Sequence, residues 1–252
     1  MKILFAASEC VPFVKTGGLA DVVGSLAPVL AQKGHDVRVI LPKYAAIPEK
    51  YESQMRHAVD FEVQLGWRRQ YCGIEELVQD GVVFYFVDNR YYFGRNYIYV
   101  MGGDEYERFA FFCRAALNFL PLVGFEPDLI HAHDWQTGMI PALLRTQYSH
   151  LPNYGHIKTL MTIHNLQYQG IFGIKEVQDV LSLPDSLFTD DKLEHYGAAN
   201  YLKAGLVYAD EITTVSPSYA EEIQTGFYGE RLDGLLRSKN NHLTGILNGI
   251  NT

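Results

Sequence analysis

The sequence predicts an α/β fold built on a Rossmann-like, doubly wound and mostly parallel sheet. Short apolar runs with strand character alternate with segments of helical spacing along the 252 residues. Strands that are separated by helices call for right-handed crossovers and parallel pairing. The apolar runs are nearly continuous, which is typical of strands covered by helices on both faces. Because no Pro-, Gly- or Ser-rich linker divides the chain, residues 1–252 are expected to form a single domain.

The chain is predicted to begin with a strand, a helix and a second strand. Residues 2–7 form the first apolar run, and residues 19–33 have helical spacing. Gly34 follows this helix, as glycine commonly does at a C-terminal cap. Residues 36–41 predict the second strand, which Pro42 ends.

Strands with little helix between them come next, over residues 58–65, 71–79 and 82–87. They predict a local antiparallel addition to the sheet, after which the alternation resumes. Further strands are predicted at residues 127–132, 157–163 and 211–215, and helices at residues 105–120, 136–148, 193–209 and 217–225.

Polar groups follow three of these strands and the apolar pair Ile246-Leu247. The groups are Lys15 to Gly18, His133 with Asp134, His164 with Asn165, and Asn248 with Gly249. Ligands of open α/β sheets bind outside the carboxyl ends of the strands. We therefore expect all of these groups on one rim of the sheet.

The loop from Lys15 to Gly18 has the composition of an anion site. Adjacent glycines let the backbone approach a ligand closely, and the start of the following helix offers free N–H groups to an anion. Lys15 adds a full positive charge. The loop therefore favours a ligand that carries phosphate, although turn chemistry alone explains Gly17 and Gly18 equally well. Its spacing fits neither the dinucleotide fingerprint nor the P-loop.

The segment around His131 and His133 allows more than one interpretation. Alternating residues share one face of an extended segment, so the two histidines could begin a metal site with Asp134. No third or fourth ligand is evident, and structural or sugar-contacting histidines fit better. Asp134 is expected to cap the next helix or to face sugar hydroxyls. His164 is either a satisfied polar group or, with Asn165 beside it, part of a site.

Five ordered blocks carry a family resemblance. They are KTGGLADVVG at 15–24 (preceded by SECVP at 8–12), HAHDWQ at 131–136, TIHNLQYQG at 162–170, TVSP at 214–217 and GILNGI at 245–250. Together they resemble the N-terminal domain of bacterial glycogen synthases and plant starch synthases. These are glycosyltransferases of family five, which have the two-domain GT-B fold.

The resemblance implies the acceptor-side half of a retaining glucosyltransferase that uses no cofactor and no metal. Such an enzyme moves glucose from ADP-glucose to the non-reducing end of an α-1,4-glucan, glycogen or a maltooligosaccharide. It implies that His164 positions the donor sugar and that Asp134 lines the cleft. Lys15 would stabilise the charge that grows on the leaving diphosphate.

The resemblance also implies substrate contacts around these three residues. The implied substrate-binding residues are Lys15, Gly17, Gly18, Asp21, Glu9, Trp135, Asn165, Tyr92 and Asn248. Tyr92 belongs to the aromatic segment 91–99, which stands where the family has a loop near the acceptor. That segment either stacks on glucan or packs within the protein.

The chain departs from its family in length. Family members are nearly twice as long and carry a second, nucleotide-binding domain, so we interpret the chain as an N-terminal domain that is inactive alone. Asn251 stands where the family usually has Asp. A non-catalytic glucan-binding or regulatory module is the alternative. An oxidoreductase is disfavoured because residues 36–41 do not end in a ribose-binding acid.

Composition bears on partners and location. A net charge of -8 argues against nucleic acid, which attracts clustered Lys and Arg. No run approaches the ~18 apolar residues of a membrane span, and the N-terminus has no signal-peptide pattern. The three cysteines lack metal-ligand spacing and are expected to be reduced. These observations predict a cytoplasmic protein without a membrane partner.

Overall fold

The structure, a computed structural model, describes residues 1–100 and 103–249. Its strands are β1 (Lys2–Ala6), β2 (Asp36–Pro42), β3 (Arg56–Leu65), β4 (Arg68–Gln79), β5 (Val82–Asp88), β6 (Leu129–His133), β7 (Lys158–Ile163), β8 (Ile171–Phe172), β9 (Glu194–His195), β10 (Ala198–Asn200), β11 (Glu211–Thr214) and β12 (Leu243–Gly245). Its α-helices are α1 (Gly18–Gln32), α2 (Glu49–Glu52), α3 (Arg90–Phe93), α4 (Glu105–Asn118), α5 (Met139–Leu143), α6 (Ile174–Leu181), α7 (Tyr201–Tyr208), α8 (Pro217–Glu222) and α9 (Asp233–Ser238).

A nine-stranded sheet forms the centre of the fold, in the spatial order β12-β11-β7-β6-β1-β2-β5-β4-β3. The strands from β12 to β5 are parallel, whereas β4 pairs antiparallel with both β5 and β3. The predicted α/β class and the antiparallel addition are therefore confirmed. A separate small antiparallel sheet has the order β8-β10-β9.

The order of the strands reverses beside β1. The chain passes from β1 to β2 and β5 on one side and returns to β6 on the other. A crevice forms at such a switch point, outside the carboxyl ends of the strands. This topology places the loops after β1, β6 and β7 next to one another, because these three strands are direct neighbours.

The helix α1 shows how the sequence sets an element on this sheet. It buries Leu19, Ala20, Val23 and Ala27, which share one face of the helix. Gly34 follows it with φ of +87°, and the Gly34 N–H returns to the carbonyl of Ala31. The predicted glycine stop is confirmed, since glycine adopts this left-handed conformation with little strain.

Two predicted helices are wrong in part. Residues 193–209 contain β9 and β10 before α7, because Gly197 turns the chain at φ of +82° and the Asn200 side chain caps α7 by accepting from the Lys203 N–H. Residues 136–148 divide into a 3₁₀ turn (Trp135–Thr137), α5 and a π-helical turn (Leu144–Tyr148). Pro141, which has no N–H to donate, lies within this segment.

The sequence pattern did not predict several short elements. The helices α2, α3 and α9 and the strands β8 and β12 were not predicted, because elements of a few residues show little periodicity. The eight-residue helix α6 was also missed, although Ile174, Val177 and Leu181 have helical spacing. The pair Ile246-Leu247 follows β12 and is exposed rather than buried in the sheet. No helix within residues 1–100 and 103–249 is long and apolar enough to cross a membrane.

Candidate active site

The predicted rim groups lie at adjacent strand ends. Asp134 follows β6 and His164 follows β7, and the His164 N–H donates to Asp134 Oδ1 at 2.7 Å. Asn248 lies farther along the rim, where its N–H donates to the Val215 carbonyl at 3.3 Å. Ile250, Asn251 and Thr252, which end the fifth block and the chain, lie outside the described residues.

The glycine loop (residues 15–18) is held by the carboxylate of Glu9. Glu9 is 4% exposed and accepts from the Thr16 N–H, from the Thr16 hydroxyl at 2.7 Å and from the Gly17 N–H at 3.3 Å. The Tyr99 hydroxyl donates to the same carboxylate at 2.9 Å. Two amides of the loop, just before the helix, are thus taken by the protein's own carboxylate. Glu9, which the sequence analysis expected to bind substrate, holds the loop through these hydrogen bonds.

The outer side of the glycine loop stays open. Among the residues that the structure describes, a Cβ added at Gly17 or at Gly18 would meet no atom within 4 Å. The helix α1 starts at Gly18, and its N-cap Gly17 has no side chain to cap the first N–H groups. The Lys15 ammonium lies 2.7 Å from Asp21, and both side chains are about half exposed. An exposed pair of this kind contributes little to stability, so Lys15 can turn toward an anionic ligand.

Behind the rim lies a histidine cluster, formed by His131, His133 and His164. The rings of His131 and His133 have centroids 4.1 Å apart, which confirms that they share one face. His131 Nε2 lies 2.6 Å from the Thr162 hydroxyl, and His133 Nδ1 lies 2.9 Å from His164 Nε2. The contact between His133 and His164 joins two of the family blocks and was not predicted from their spacing.

Burial keeps the three histidines of this cluster uncharged by lowering their pKa values. Desolvation lowers the pKa of His131 to about 3 and the pKa of His164 to about 4. It also lowers the pKa of His133 well below its ordinary value, and the two neighbouring histidines add to the effect. All three imidazoles are therefore neutral near pH 7. Within residues 1–100 and 103–249, no group of three or more His, Cys, Asp or Glu side chains is arranged to hold a metal ion.

Asp134 does not cap the helical turn that follows it, which corrects the sequence prediction. Its side chain makes no capping hydrogen bond and turns instead to the His164 N–H. Its φ is +54°, a strained value for a residue other than glycine that occurs often at functional sites. Burial raises the pKa of its carboxyl to about 7, against the N–H groups of His164 and Asn165, and the charge of Glu9 adds to the rise.

Two predicted sugar contacts are buried side chains in the structure. Trp135 is 9% exposed and packs edge-on against Phe109, with ring centroids 5.0 Å apart. Gly170, with φ of +63°, lies so close to this indole that a Cβ there would come within 2.3 Å of the ring. Trp135 thus fixes the loop after β7 and presents no free face to a sugar.

Tyr92 is fully buried, and its hydroxyl donates to the Glu107 carboxylate. It belongs to α3, which packs against the core, so the expected stacking on glucan is wrong for this side chain. Its neighbour Tyr91 is 63% exposed and Tyr97 is 42% exposed. The aromatic segment therefore does both things that the sequence allowed: it packs through Tyr92 and Tyr99 and presents Tyr91 and Tyr97 to solvent.

The remaining predicted contacts lie at the surface. Asn165 is exposed, and its side-chain oxygen accepts from the Gln167 N–H at 3.0 Å, which shapes the loop after β7. Asn248 is also exposed. The site therefore combines an open, charged loop, two exposed amides and a neutral buried cluster at one end of the sheet.

The chain resembles a known family over nearly all of its length. Residues 2–238 match the family described as the starch synthase catalytic domain. A glycogen synthase of Anoxybacillus flavithermus is 56% identical over 250 residues, which cover 99% of this chain and 51% of the relative. A glycogen synthase of Lachnospira eligens is 55% identical over 248 residues, which cover 98% of this chain and 52% of the relative. The chain thus spans about half the length of the curated relatives it matches.

Two solved structures resemble the chain in fold. The catalytic domain of starch synthase IV from Arabidopsis thaliana, bound to ADP and acarbose, superposes with a TM-score of 0.90 at 31% identity. That match covers 99% of this chain and 51% of the other chain. A sucrose-phosphate synthase from Thermosynechococcus elongatus shares the fold, with a TM-score of 0.54 at 18% identity.

Proposed function

The chain belongs to the starch synthase catalytic domain family, and from this premise we propose that it forms the acceptor-side half of a retaining glucosyltransferase. The reaction proposed is transfer of glucose from ADP-glucose to the non-reducing end of an α-1,4-glucan such as glycogen or a maltooligosaccharide. The observation that carries the proposal is the open loop with Lys15 after β1, together with Asp134 and His164 after the neighbouring strands β6 and β7, at the switch point of the sheet.

Lys15 is proposed to face the diphosphate of the donor. Negative charge grows on this leaving group as the glycosidic bond breaks, and a cation already in place stabilises that charge without reorganisation. The open space at Gly17 and Gly18 supports the proposal, because it leaves room for a ligand against the loop. Asp21 holds the ammonium when no ligand is bound.

The other side of the site is proposed to hold the sugar. A neutral His164 can donate one hydrogen bond to a sugar hydroxyl, and its low pKa speaks against a role as general base. Asp134 lines the cleft between the two walls. Asn165 and Asn248 are the exposed amides that could bind hydroxyl groups. Glu9 and Trp135 act through the loops that they support, and Tyr92 acts through its packing in α3.

We propose further that this single Rossmann-like domain works against a second, nucleotide-binding domain. The support is the length comparison, since the chain covers 51% of the Anoxybacillus flavithermus relative. A site closed from one side only does not exclude water from the reaction. The proposal includes a cytoplasmic location without nucleic-acid or membrane partners. Cys10, Cys72 and Cys113 are free thiols, which suits a reducing compartment.

The test compares the chain alone with the chain joined to the C-terminal half of the Anoxybacillus flavithermus glycogen synthase. Incorporation of labelled glucose from ADP-glucose into glycogen is measured for both, with UDP-glucose as the control donor. We expect transfer by the joined protein and none by the chain alone. Robust glucan elongation by residues 1–252 alone would overturn the half-site proposal. A joined protein that folds and binds maltooligosaccharide but transfers nothing would favour the non-catalytic glucan-binding module.

A further inference from the structure

The buried ring of His133 makes one hydrogen bond and leaves one nitrogen without a partner. Its Nδ1 lies 2.9 Å from His164 Nε2. Its Nε2 is buried and has no hydrogen-bond partner in the part of the chain that the structure describes. A hydrogen bond between two neutral imidazoles needs one N–H and one lone pair, so only two proton arrangements are possible.

The unpartnered nitrogen distinguishes the two arrangements. If His164 Nε2–H donated, the His133 proton would be on Nε2, a buried N–H without an acceptor. Orphaned buried N–H groups are rare in native proteins, and an unmade donor costs about 1–3 kcal/mol. If His133 Nδ1–H donates, the unpartnered nitrogen carries only a lone pair, and the proton of His164 must be on Nδ1.

The tautomer of His164 determines whether its ring presents a donor or an acceptor to the site. Its ring is half-buried, and its Nδ1 has no partner among the described residues and is not among the enclosed polar atoms. A proton on Nδ1 is therefore an N–H donor at the open side of the site. A proton on Nε2 would leave Nδ1 as an acceptor there instead.

We propose that His133 is a positioning residue: its Nδ1–H donates to His164 Nε2 and holds His164 as the tautomer that presents an N–H to the site. Burial keeps both rings neutral near pH 7, so the tautomer rather than the charge is the variable. Phe5, stacked on the ring of His133 with centroids 5.6 Å apart, and His131 on its flank keep the ring in place.

The direct test is the tautomer of His164 in solution. In the chain labelled with ¹⁵N-histidine, long-range ¹H–¹⁵N correlation spectra distinguish protonated from unprotonated ring nitrogens, and His164→Gln identifies the resonances. We expect a protonated Nδ1 and a bare Nε2. A His164 protonated on Nε2 in the unmodified chain would overturn the proposal, and this result depends on no variant.

Two substitutions at His133 refine the test. Asn places an amide N–H where Nδ1–H lies, so His133→Asn should leave the His164 tautomer unchanged. Leu offers neither a donor nor an acceptor, so His133→Leu removes the hydrogen bond to His164 Nε2 and should shift the ¹⁵N resonance of that nitrogen. An Nε2–H facing Leu would be an orphaned buried donor, so His164 should stay protonated on Nδ1. Tyr154→Phe, which removes a buried hydrogen bond of 2.7 Å to the Leu117 carbonyl, is the matched control and should change nothing at His164. An Nε2 resonance of His164 that is the same in the unmodified chain and in a folded His133→Leu would contradict the proposed hydrogen bond.

The functional part of the inference rests on the proposed glucosyltransferase. In the joined protein, His133→Leu should lower kcat/KM for ADP-glucose about tenfold, the value of one lost hydrogen bond, and leave KM for glucan unchanged. His133→Asn should recover most of the loss. Equal losses in both variants would point to a merely structural role. An inactive joined protein with the expected tautomer would refute the function and leave the positioning role standing.

Discussion

The two walls of the candidate site differ in charge and burial: the glycine loop is charged and exposed, whereas the histidine cluster is neutral and buried. The glycine loop carries Lys15, which is half exposed and lies 2.7 Å from Asp21 of α1, beside space that a ligand could fill. The histidine cluster is buried, and burial lowers the pKa of each ring until the cluster is neutral. The comparison indicates that changes in the loop should affect ligand chemistry, whereas changes around the cluster should affect stability first. The predictions below run from the largest to the smallest expected effect on the free energy of unfolding.

The largest contrast is expected between two glycines. Gly138 lies just after the turn that begins at Trp135. A Cβ there would lie 2.1 Å from the Tyr201 carbonyl oxygen, which belongs to the backbone of α7 and cannot move aside easily. Gly138→Ala should lower the free energy of unfolding by more than about 3 kcal/mol. Gly18→Ala faces open space at the start of α1 and should stay within about 0.5 kcal/mol of the unmodified chain. Urea unfolding of both variants measures the difference, and equal losses would contradict the comparison.

The pH dependence of stability comes next. The histidines of the cluster have folded pKa values below the ordinary 6.5, so protons favour the unfolded chain as pH falls from about 6.5 to about 4. Asp134 works in the opposite direction, because its folded pKa is raised to about 7 and its stabilising proton is lost as pH rises. Three histidines outweigh one carboxyl, so the cluster should make the protein more stable as pH rises through this range.

His131→Gln isolates one of these histidines. The Gln amide can keep the hydrogen bond to Thr162 but does not titrate. The free energy of unfolding of this variant should rise less steeply between pH 4 and pH 6 by up to about 1.4 kcal/mol per pH unit, the value of one proton. Urea titrations at several pH values give the slope. An identical slope in the variant and the unmodified chain would show that His131 is not held neutral in the fold.

Glu9 sharpens the comparison, since its buried carboxylate holds the glycine loop. Glu9→Gln replaces an acceptor of several hydrogen bonds by an amide whose NH₂ must face other donors. It should cost about 1–3 kcal/mol. Asp21→Asn, which loses only the exposed pair with Lys15, should cost less than about 1 kcal/mol. If Glu9→Gln proves as mild as Asp21→Asn in urea unfolding, the carboxylate does not hold the loop.

The sequence predicts those features that local pattern determines. The apolar runs and the helices between them indicated a parallel sheet, and the placement of Asp134 and His164 after strands indicated one rim, which the hydrogen bond between them confirms. The turn at Gly197 and the cap at Asn200 were present as signals, and they break the helix predicted over residues 193–209.

Other features depend on contacts between distant segments, which one sequence does not reveal. Glu9 meets Tyr99, 90 residues away, and Trp135 is enclosed by Gly170 and Phe172 from beyond β7. Tyr92 and Tyr91 are neighbours of the same type, yet one is buried and the other exposed, because α3 turns one face to the core. The direction of each side chain follows from the assembled fold and not from the aromatic composition of the segment.

Lys15→Met tests the central claim most directly, because it removes the exposed charge of the loop and leaves the buried wall intact. In the joined protein, kcat/KM for ADP-glucose should fall about 100-fold or more, while the free energy of unfolding of the chain should change by less than about 0.5 kcal/mol. Lys15→Arg, which keeps the positive charge, should recover part of the activity. Transfer that is unaffected by Lys15→Met, or a loss of activity matched by a loss of stability, would contradict the account.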